Sequence, residues 1–355
     1  MYGEHDYEVL TSSREGLQRQ EDHFGSKQRH DTDGYNIIPF GYCTYRNRSD
    51  DGKFAFNINT ISEKAIVSKF YPVFRFTNAN STFMAEFLNS SPRVKKKLSV
   101  LAVGTSQVVL SFEALKAAKF DLPCKDEQDK IAAFLECLNT RIENQRTLVV
   151  ALKKYKRGVV DGIFSRKLNF SYPQIWAELE ISELFMPISD KGYSDKIVLT
   201  IVQGEGTMPR DSVDRRIAYD KSTISSYKRV LPNDFILHLR SFEGGLEIVN
   251  EEGVVSPAYT ILRARNEIIP LFFYTFFRSY WFINSKLRIS VEGIRDGKSI
   301  NMNTFWHIKV PVPSIEEQRH ISALISSIDN RIKIAEFEYK RLLQIRVGLM
   351  QQLFI

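Results

Sequence analysis

Apolar residues recur at steps of three and four along the middle of the chain, with polar residues between them. This spacing puts an apolar stripe on one helical face, so it predicts a single helix from Glu127 to Phe164. Gln145 interrupts the stripe, Pro123 ends the extended segment before it, and Asp126 is a candidate helix cap. The apolar positions are Ile131, Phe134, Leu138, Ile142, Val149, Leu152, Tyr155, Val159 and Ile163.

The same stripe returns 190 residues later, with Ser314 as its candidate cap. Residues 120–165 and 310–355 align without a gap, and ten positions are identical. A repeat of this length indicates two equivalent halves, each a globular unit followed by one long helix. The identical pairs are Pro123/Pro313, Glu127/Glu317, Gln128/Gln318, Ile131/Ile321, Ala133/Ala323, Arg141/Arg331, Ile142/Ile332, Leu152/Leu342, Gly158/Gly348 and Phe164/Phe354. The second stripe consists of Ile321, Leu324, Ile328, Ile332, Ala335, Tyr339, Leu342, Ile345, Leu349 and Leu353.

Each predicted helix is too long to bury its own stripe. About 38 residues at 1.5 Å each give a rod of about 57 Å. We expect the two helices to pair with each other, and we favour an antiparallel pair that relates the halves by an approximate two-fold axis. A parallel pair would bring both globular units to the same end. The remaining alternative is an ordinary core helix in each of two compact domains.

The globular units carry a mixture of strand and helix signals, so the expected fold class is α+β. Helical segments are expected near residues 80–98 and 269–288. The expected domains are residues 1–122, a first long helix in 123–168, residues 169–312, and a second long helix in 313–355. The β-branched and aromatic runs that predict strands are Tyr42–Tyr45, Val73–Phe76, Phe235–Leu239 and Tyr259–Leu262.

The two units differ at their beginnings. Val9-Leu10-Thr11 matches Val198-Leu199-Thr200, but about 28 residues of the second unit precede its copy and only eight precede the first. We therefore expect the first unit to lack its opening element, either through truncation or because its start lies upstream of this chain.

Composition adds three expectations. A chain of 355 residues with 43% hydrophobic content suggests two or three soluble domains, and no run of 18 apolar residues predicts a membrane span. The three cysteines at positions 43, 124 and 137 are odd in number and widely spaced, which fits a reducing cytoplasm. A net charge of +7 favours a polyanionic partner, although charge alone is a weak argument.

The chain resembles the specificity subunit of type I restriction–modification systems. The motif Pro123-x-x-x-Glu127-Gln128-x-x-Ile131 with Arg141-Ile142, and its copy from Pro313 to Ile332, carry the resemblance, as does the opening Ile175-Trp176…Leu179-Glu180-Ile181. The resemblance implies two target-recognition domains that each read half of a split sequence in double-stranded DNA. It also implies that the paired helices set the spacing and dock two modification (methyltransferase) subunits, and that a restriction (translocase–nuclease) subunit joins the complex.

Polar loops in both units supply candidate DNA-contacting residues, because phosphates and base edges favour Arg, Lys, Asn and Gln. The loops as groups are a stronger prediction than any single residue, since an exposed charge is usually only solvated. The first unit offers Arg14, Arg19, Lys27, Arg29, Arg46, Arg48, Lys53, Thr105 and Gln107. The second unit offers Gln203, Arg210, Arg215, Arg216, Arg240, Arg295, Lys298 and Asn301.

No pattern in the sequence indicates catalysis. Gly293 to Ser299 departs from the phosphate-loop spacing by one residue, and the six histidines show no metal-ligand spacing. His238 is interpreted as a structural residue of its strand. We therefore expect no cofactor, no metal and no activity of the chain alone. The alternatives are a coiled-coil scaffold that binds proteins and a self-contained methyltransferase or nuclease.

Overall fold

The computed structural model describes residues 7–26, 32–168, 175–213, 221–238, 244–293 and 298–354. The chain forms two compact units. The first unit comprises Met1–Thr147 and Glu336–Ile355, and the second comprises Leu148–Ala335. Each unit thus includes one part of each long helix.

The globular part of the first unit mixes short strands and helices, as expected. Its strands are β1 (Glu8–Ser13), β2 (Gly16–Arg19), β3 (Asn36–Ile37), β4 (Cys43–Tyr45), β5 (Arg48–Ser49), β6 (Phe56–Ile58), β7 (Ala65–Val67), β8 (Val73–Phe74) and β9 (Val108–Val109). Its helices are α1 (Gln20–Phe24), α2 (Ser81–Ser90), α3 (Pro92–Leu101) and α4 (Phe112–Ala117). The single helical segment expected near residues 80–98 is two helices, because Ser91 caps a new helix with Pro92 at its start.

Two sheets organise this first unit. One has the order β2-β1-β7-β3, with β1 parallel to β7, and the other has the order β6-β4-β8. Tyr45 and Phe56 form the centre of a core beneath the second sheet, where Leu88 of α2 and Leu98 of α3 also pack. The Tyr45 hydroxyl donates to the carbonyl oxygen of Leu110 at 2.9 Å, which satisfies this buried polar group.

The second unit also mixes strands and helices. Its strands are β10 (Ala177–Glu180), β11 (Phe185–Ile188), β12 (Leu199–Val202), β13 (Gly206–Pro209), β14 (Lys228–Val230), β15 (Phe235–His238), β16 (Glu247–Ile248), β17 (Gly253–Val255), β18 (Tyr259–Ala264), β19 (Val291–Glu292), β20 (Ser299–Ile300) and β21 (Lys309–Val312). Its α-helices are α6 (Ile181–Leu184), α7 (Pro270–Phe277) and α8 (Met302–Trp306); 3-10 turns lie at Arg210–Ser212, Lys221–Ser226 and Leu287–Ser290, and a π-helical turn at Phe282–Lys286.

A four-stranded antiparallel sheet of order β11-β18-β15-β16 supports the second unit. Its inner face meets the phenylalanine-rich helix α7 in the largest apolar core of the described chain, which includes Phe185, Phe235 and Phe273. The rings pack edge to face, as between Phe185 and Phe235 with centroids 5.6 Å apart. This core explains why the apolar run around residue 270 is a buried helix.

The two long helices are α5 (Lys125–Phe164, 40 residues) and α9 (Ile315–Leu353, 39 residues). They run antiparallel in each unit, as expected. In the first unit, Ala132 of α5 shares a core with Met350 of α9, and farther along Gln145 donates to Glu338 at 3.2 Å. In the second unit, Lys156 of α5 pairs with Asp329 of α9 at 2.6 Å.

The interacting face of each helix is rotated slightly from the predicted stripe. Four residues of the stripe are exposed, so the prediction that they lie in the seam, the contact surface between the two long helices, was wrong. They are Phe134, Tyr155, Ile345 and Leu353. Neighbouring residues such as Leu135, which is only 1% exposed, are buried instead. The seam also admits two cations, Lys156 and Arg346.

Each seam cation has a partner for its charged end. Long cationic side chains can lay their methylene stems along apolar surface when the charged end finds such a partner. Arg346 finds two, because it donates to Asn139 at 2.8 Å and to both carboxylate oxygens of Glu86. The seam is therefore partly polar where the sequence pattern predicts an apolar stripe.

The helix caps differ between the two copies. Ser314 caps α9 as expected, because its hydroxyl accepts from the backbone N–H of Glu317 at 3.3 Å. Asp126 is not a cap, because the helix already begins at Lys125 and Asp126 lies in its first turn.

One buried glutamine fastens the start of each long helix to its globular unit. The Gln128 amide donates to the carbonyl oxygen of Pro123 at 2.9 Å and accepts from the backbone N–H of Asn80, the N-cap of α2, at 3.0 Å. Gln318 repeats both bonds with Pro313 and with Ile269, the N-cap of α7, at 3.0 and 2.9 Å. This arrangement explains the identity of the two glutamines in the repeat.

Replacing Gln318 by Leu should destabilise the second unit by about 1–3 kcal/mol, because the Ile269 N–H and the Pro313 carbonyl would lose a buried partner. Gln351→Leu is the matched control, since Gln351 is an exposed glutamine on the same helix. Urea unfolding followed by circular dichroism measures both. Equal stability of the two variants would contradict the proposed anchoring.

Candidate nucleic-acid interface

Each unit has an open cleft at an equivalent place. We call them the first cleft, of about 550 Å³, and the second cleft, of about 510 Å³. Both are lined by the first hairpin of the unit, β1–β2 or β12–β13, and by one further strand, β5 in the first unit and β15 in the second. Thr11 and Thr200, which match in the repeat, line the clefts from the hairpins, and a tyrosine, Tyr71 or Tyr259, also lines each cleft.

The hairpin of the first cleft has a tight tip that carries Arg14 and Glu15. The Ser13 hydroxyl donates to the Gly16 carbonyl at 3.0 Å and accepts from the Glu15 N–H at 3.1 Å. Gly16 adopts φ = 125°, which favours a residue without a side chain. These bonds fix the backbone of the turn that carries Arg14, and Arg14 lines the cleft.

Arg14 is neutralised within its own cleft. Its guanidinium lies 2.5 Å from Asp51, which also lies 3.7 Å from Lys53. Burial acts to raise the pKa of Asp51, but hydrogen bonds from Ser49 and from the Lys53 backbone, together with the Arg14 charge, lower it. Gln107 is held in a similar way, because its amide donates to Asp50 at 2.9 Å.

Arg46 and Arg48 are the cations of the first cleft that remain available. Both are exposed, and among the residues that the structure describes neither has a carboxylate partner. The Arg48 guanidinium lies 5.1 Å from the centre of the Phe70 ring, a cation–π arrangement. Burial raises the pKa of Tyr71, and the positive charge of Arg46 opposes that shift. Such guanidiniums can bind phosphate or a guanine edge.

The second cleft presents Gln203 instead of arginine at its hairpin tip. Gln203 lies in the turn between β12 and β13, and Gly206 after it adopts φ = 84°. A Cβ atom on Gly206 would lie 2.6 Å from the backbone oxygen of Ile248, so only glycine fits between the hairpin and β16. The close packing fixes the hairpin, and with it the Gln203 backbone, against the sheet.

A buried carboxylate supports the floor of the second cleft. Glu247 is 4% exposed and pairs with Arg278. It also accepts from the Tyr274 hydroxyl and from the Gly204 N–H, each at 3.0 Å. The network joins the hairpin turn to helix α7, which packs in the apolar core. The position of the cleft wall therefore depends on the packing of that core.

The remaining wall of the second cleft combines Arg210, Tyr259 and His238. Burial raises the pKa of Tyr259, and the charge of Arg210 opposes the shift, as Arg46 does for Tyr71. His238 and Tyr259 lie with ring centroids 5.3 Å apart. His238 therefore lines the cleft, in addition to belonging to a strand. Sequence reasoning did not select Tyr71, Tyr259 or His238 as site residues, because a single aromatic residue gives no spacing signal for a binding site.

The structure brings together six of the residues selected from the sequence. Arg14, Arg46, Arg48 and Lys53 line the first cleft, and Gln203 and Arg210 line the second. Five others lie outside the cleft walls. Arg19 pairs with Glu8, Gln107 with Asp50, and Thr105 and Lys298 lie on exposed segments. Asn301 caps α8 by accepting from the Thr304 N–H at 3.1 Å, so its carbonyl oxygen is already used.

Several selected residues fall outside the described residues, and nothing is inferred about them from the structure. They are Lys27, Arg29, Arg215, Arg216, Arg240 and Arg295. Over the part of the chain that is described, no cluster of three potential metal ligands and no helix suited to crossing a membrane is found.

Comparison with known proteins identifies the family. The model of the type I restriction modification DNA specificity domain matches residues 3–152 and again residues 177–344. The chain belongs to this family. The two matches correspond to the two halves of the internal repeat, so each half is one specificity domain.

Curated relatives carry consistent names. The chain is 24% identical over 224 residues to a putative type I restriction enzyme MjaX specificity subunit of Methanocaldococcus jannaschii, covering 58% of this chain and 51% of that protein. It is 27% identical over 215 residues to the type I restriction enzyme MjaVIII specificity subunit of the same organism, covering 58% and 47%. The alignments thus span about half the length of these relatives.

Solved structures show the same fold over nearly the whole chain. The S subunit of a type I restriction–modification system from M. genitalium superposes with a TM-score of 0.54 at 19% identity, covering 99% of this chain and 89% of that one. A chain from a structure describing complex assembly and conformational transition of the type I system gives a TM-score of 0.55 at 16% identity, covering 90% and 83%.

Glu247→Leu should destabilise the second unit by about 3 kcal/mol, because Arg278 would be left partly buried without its carboxylate. Glu205→Leu is the control, because Glu205 is an exposed glutamate in the adjacent hairpin turn. Urea denaturation of both variants gives the comparison. A loss of less than about 1 kcal/mol for Glu247→Leu would show that the network does not support the cleft.

Proposed function

We propose that this chain is the non-catalytic DNA-recognition subunit of a type I restriction–modification complex. Each unit reads one half of a bipartite target through its cleft. The long helices set the spacing between half-sites and dock two modification subunits, and a restriction subunit joins the assembly. The chemistry of methylation and cleavage belongs to those partners.

The observation that carries the proposal is the duplicated cleft within a duplicated specificity domain. Both clefts have a polar hairpin tip, a tyrosine and an arginine near that tyrosine. Their remaining residues differ, with Arg48 in the first and Gln203 and His238 in the second. Arginine favours guanine and glutamine favours adenine, so two similar scaffolds with different linings suit two different half-sites.

The surface of the long helices supports partner docking. In the first unit α9 exposes Phe337 and Val347, which are 67% and 56% exposed, and α5 exposes Phe134. In the second unit α5 exposes Val150 and Tyr155, and α9 exposes Ile334. Large apolar side chains repeated along one helix are typical of a surface that another protein covers.

Sequencing of methylated sites tests the proposal directly. Cells that carry the modification subunit are compared with and without this chain. We expect a bipartite methylated motif only when the chain is present. Methylation that is unchanged by the chain would refute a role in target recognition, and methylation by the purified chain alone would favour the enzyme alternative.

The double variant Arg46→Ala/Arg48→Ala should weaken binding of target DNA by about ten- to a hundred-fold, because each guanidinium contributes a charged contact. Binding is measured by fluorescence anisotropy on the complex with the modification subunit, at several salt concentrations. The salt dependence distinguishes the kinds of contact, since loss of two phosphate contacts lowers the slope of log K against log salt by about 1.8.

Arg75→Ala is the control for this pair, because Arg75 is an exposed arginine of the same unit that does not line the cleft. We expect the control to bind like the unmodified chain. If the control and the double variant lose equal affinity, the effect reflects net charge, and the first cleft is not the reading site.

Inserting four residues between Thr147 and Leu148, and four between Ala335 and Glu336, should lengthen the spacer of the methylated motif. Each insertion adds about 6 Å of helix, which corresponds to between one and two base pairs. An insertion in α5 alone is the control and should impair assembly, because it shifts one helix past the other. An unchanged spacer in the doubly extended chain would contradict the spacing role.

A further inference from the structure

A tight turn lies beside each cleft at an equivalent place. The turn Ser68–Tyr71 follows β7, the turn Ser256–Tyr259 follows β17, and each ends at the tyrosine that lines its cleft. In each turn the tyrosine N–H donates to the serine carbonyl oxygen, at 2.9 Å in the first unit and 3.1 Å in the second. The residue before the tyrosine donates its N–H to the serine hydroxyl, at 3.4 Å in both units. The two clefts therefore share this backbone scaffold.

The two turns differ in the residue that precedes the tyrosine. Phe70 occupies the position in the first unit that Ala258 occupies in the second. The Phe70 side chain is 50% exposed although it is large and apolar. A single exposed apolar residue is common on protein surfaces and indicates no role by itself. The residues around Phe70 are therefore what can assign one to it.

Two cations lie against the Phe70 ring. The Arg48 guanidinium carbon is 5.1 Å from the ring centre, and the Lys69 ammonium is 5.7 Å from it. A cation–π contact uses the face of the ring and no hydrogen bond, so it leaves the guanidinium N–H groups available. The neighbouring acids hold other residues, because Asp51 pairs with Arg14 and Asp50 accepts from Gln107. The Phe70 ring thus restrains Arg48 without neutralising its charge.

Both sides of this contact are held by their backbones. The Asn36 amide donates to the carbonyl oxygens of Tyr71 at 2.9 Å and of Lys69 at 3.4 Å, which fastens the turn to β3. Arg48 lies in β5, where it pairs with Val109 of β9. A contact that exists before binding reduces the side-chain freedom lost when a ligand is bound. The guanidinium and the ring are therefore preorganised as a pair.

We propose that Arg48 and Phe70 together read two neighbouring base pairs of the first half-site, with guanine bound by the guanidinium and thymine by the ring. This inference rests on the proposed function. A guanidinium binds the O6 and N7 atoms of guanine, and an apolar side chain contacts the methyl group of thymine. Base pairs stack about 3.4 Å apart, so a ring centred 5.1 Å from the guanidinium carbon reaches the next base pair. Ala258 has no ring to hold an arginine, so this reader belongs to one half-site.

The test uses the complex with the modification subunit and the target defined by methylation sequencing. Each thymine is replaced in turn by deoxyuridine, which lacks only the methyl group, and each guanine by 7-deazaguanine, which lacks N7. We expect one thymine and one guanine, in neighbouring base pairs of one half-site, at which replacement weakens binding by about three-fold and about ten-fold. A target without such a neighbouring pair would overturn the proposal.

Variants of Phe70 assign these two sensitivities to the reader. Phe70→Ala should remove both, because the methyl contact is lost and Arg48 is no longer oriented. Phe70→Tyr should keep both, because the aromatic face remains. Phe40→Ala is the matched control, since Phe40 is 55% exposed in the same unit and, among the described residues, has no cation against its ring. It should keep both sensitivities and bind within about two-fold of the unmodified chain.

The outcomes separate this inference from the proposed function. Sensitivities that persist in Phe70→Ala, or that Phe40→Ala also loses, would overturn the reader while DNA recognition stands. An unmodified complex that binds the target and unrelated DNA equally would refute the proposed recognition, and the reader with it.

Discussion

The orientation of each long helix depends on a buried glutamine at its first turn. Gln128 and Gln318 each join a carbonyl before the helix to the capping N–H of a helix in the globular unit. Both side chains are almost completely buried, so water cannot replace either bond cheaply. The direction of a long helix is sensitive to its start, since a tilt of about 5° displaces the far end of a rod of about 60 Å by about 5 Å. A fixed start is therefore required of any helix that measures distance.

The same division between fixed and variable parts appears in the clefts. The strands and the tyrosines recur between the units, whereas the hairpin tips differ in residue type and in support. Arg14 is held by a carboxylate of its own unit, and the turn that carries Gln203 is held by Glu247 through a backbone amide. A scaffold that fixes the backbone and leaves the tip residues free to change is suited to recognition that must vary.

The long helices were predictable from the sequence, because an apolar period of 3.6 residues sustained over about ten turns is hard to accommodate in anything except a helix. Their antiparallel pairing was confirmed in each unit. The precise seam was not predictable, because periodicity cannot tell which side of the stripe the globular unit covers. Phe134 and Tyr155 were expected to be buried and are exposed, whereas Lys156 and Arg346 enter the seam only because carboxylates meet them there.

The candidate site was predictable as loops and only partly as residues. Arg14 lies far from Arg46 and Arg48 in the chain, so their convergence depends on how β1, β4 and β5 fold together. The aromatic residues of the clefts carry no spacing signal and were missed. Asn301 shows the reverse case, because a residue type suited to reading bases caps a helix instead.

The seam cations have consequences for how such proteins can be recombined. In the second unit the carboxylate that meets Lys156 is Asp329, which belongs to the helix itself. In the first unit the corresponding helical position is Asn139, and the carboxylate that meets Arg346 is Glu86 of the globular part. A different second globular part can therefore be grafted without changing the Lys156–Asp329 ion pair, because both residues belong to the long helices. A different first globular part must supply its own carboxylate at the position of Glu86, since Arg346 otherwise loses its ion-pair partner. The two globular parts therefore differ in how freely each can be exchanged.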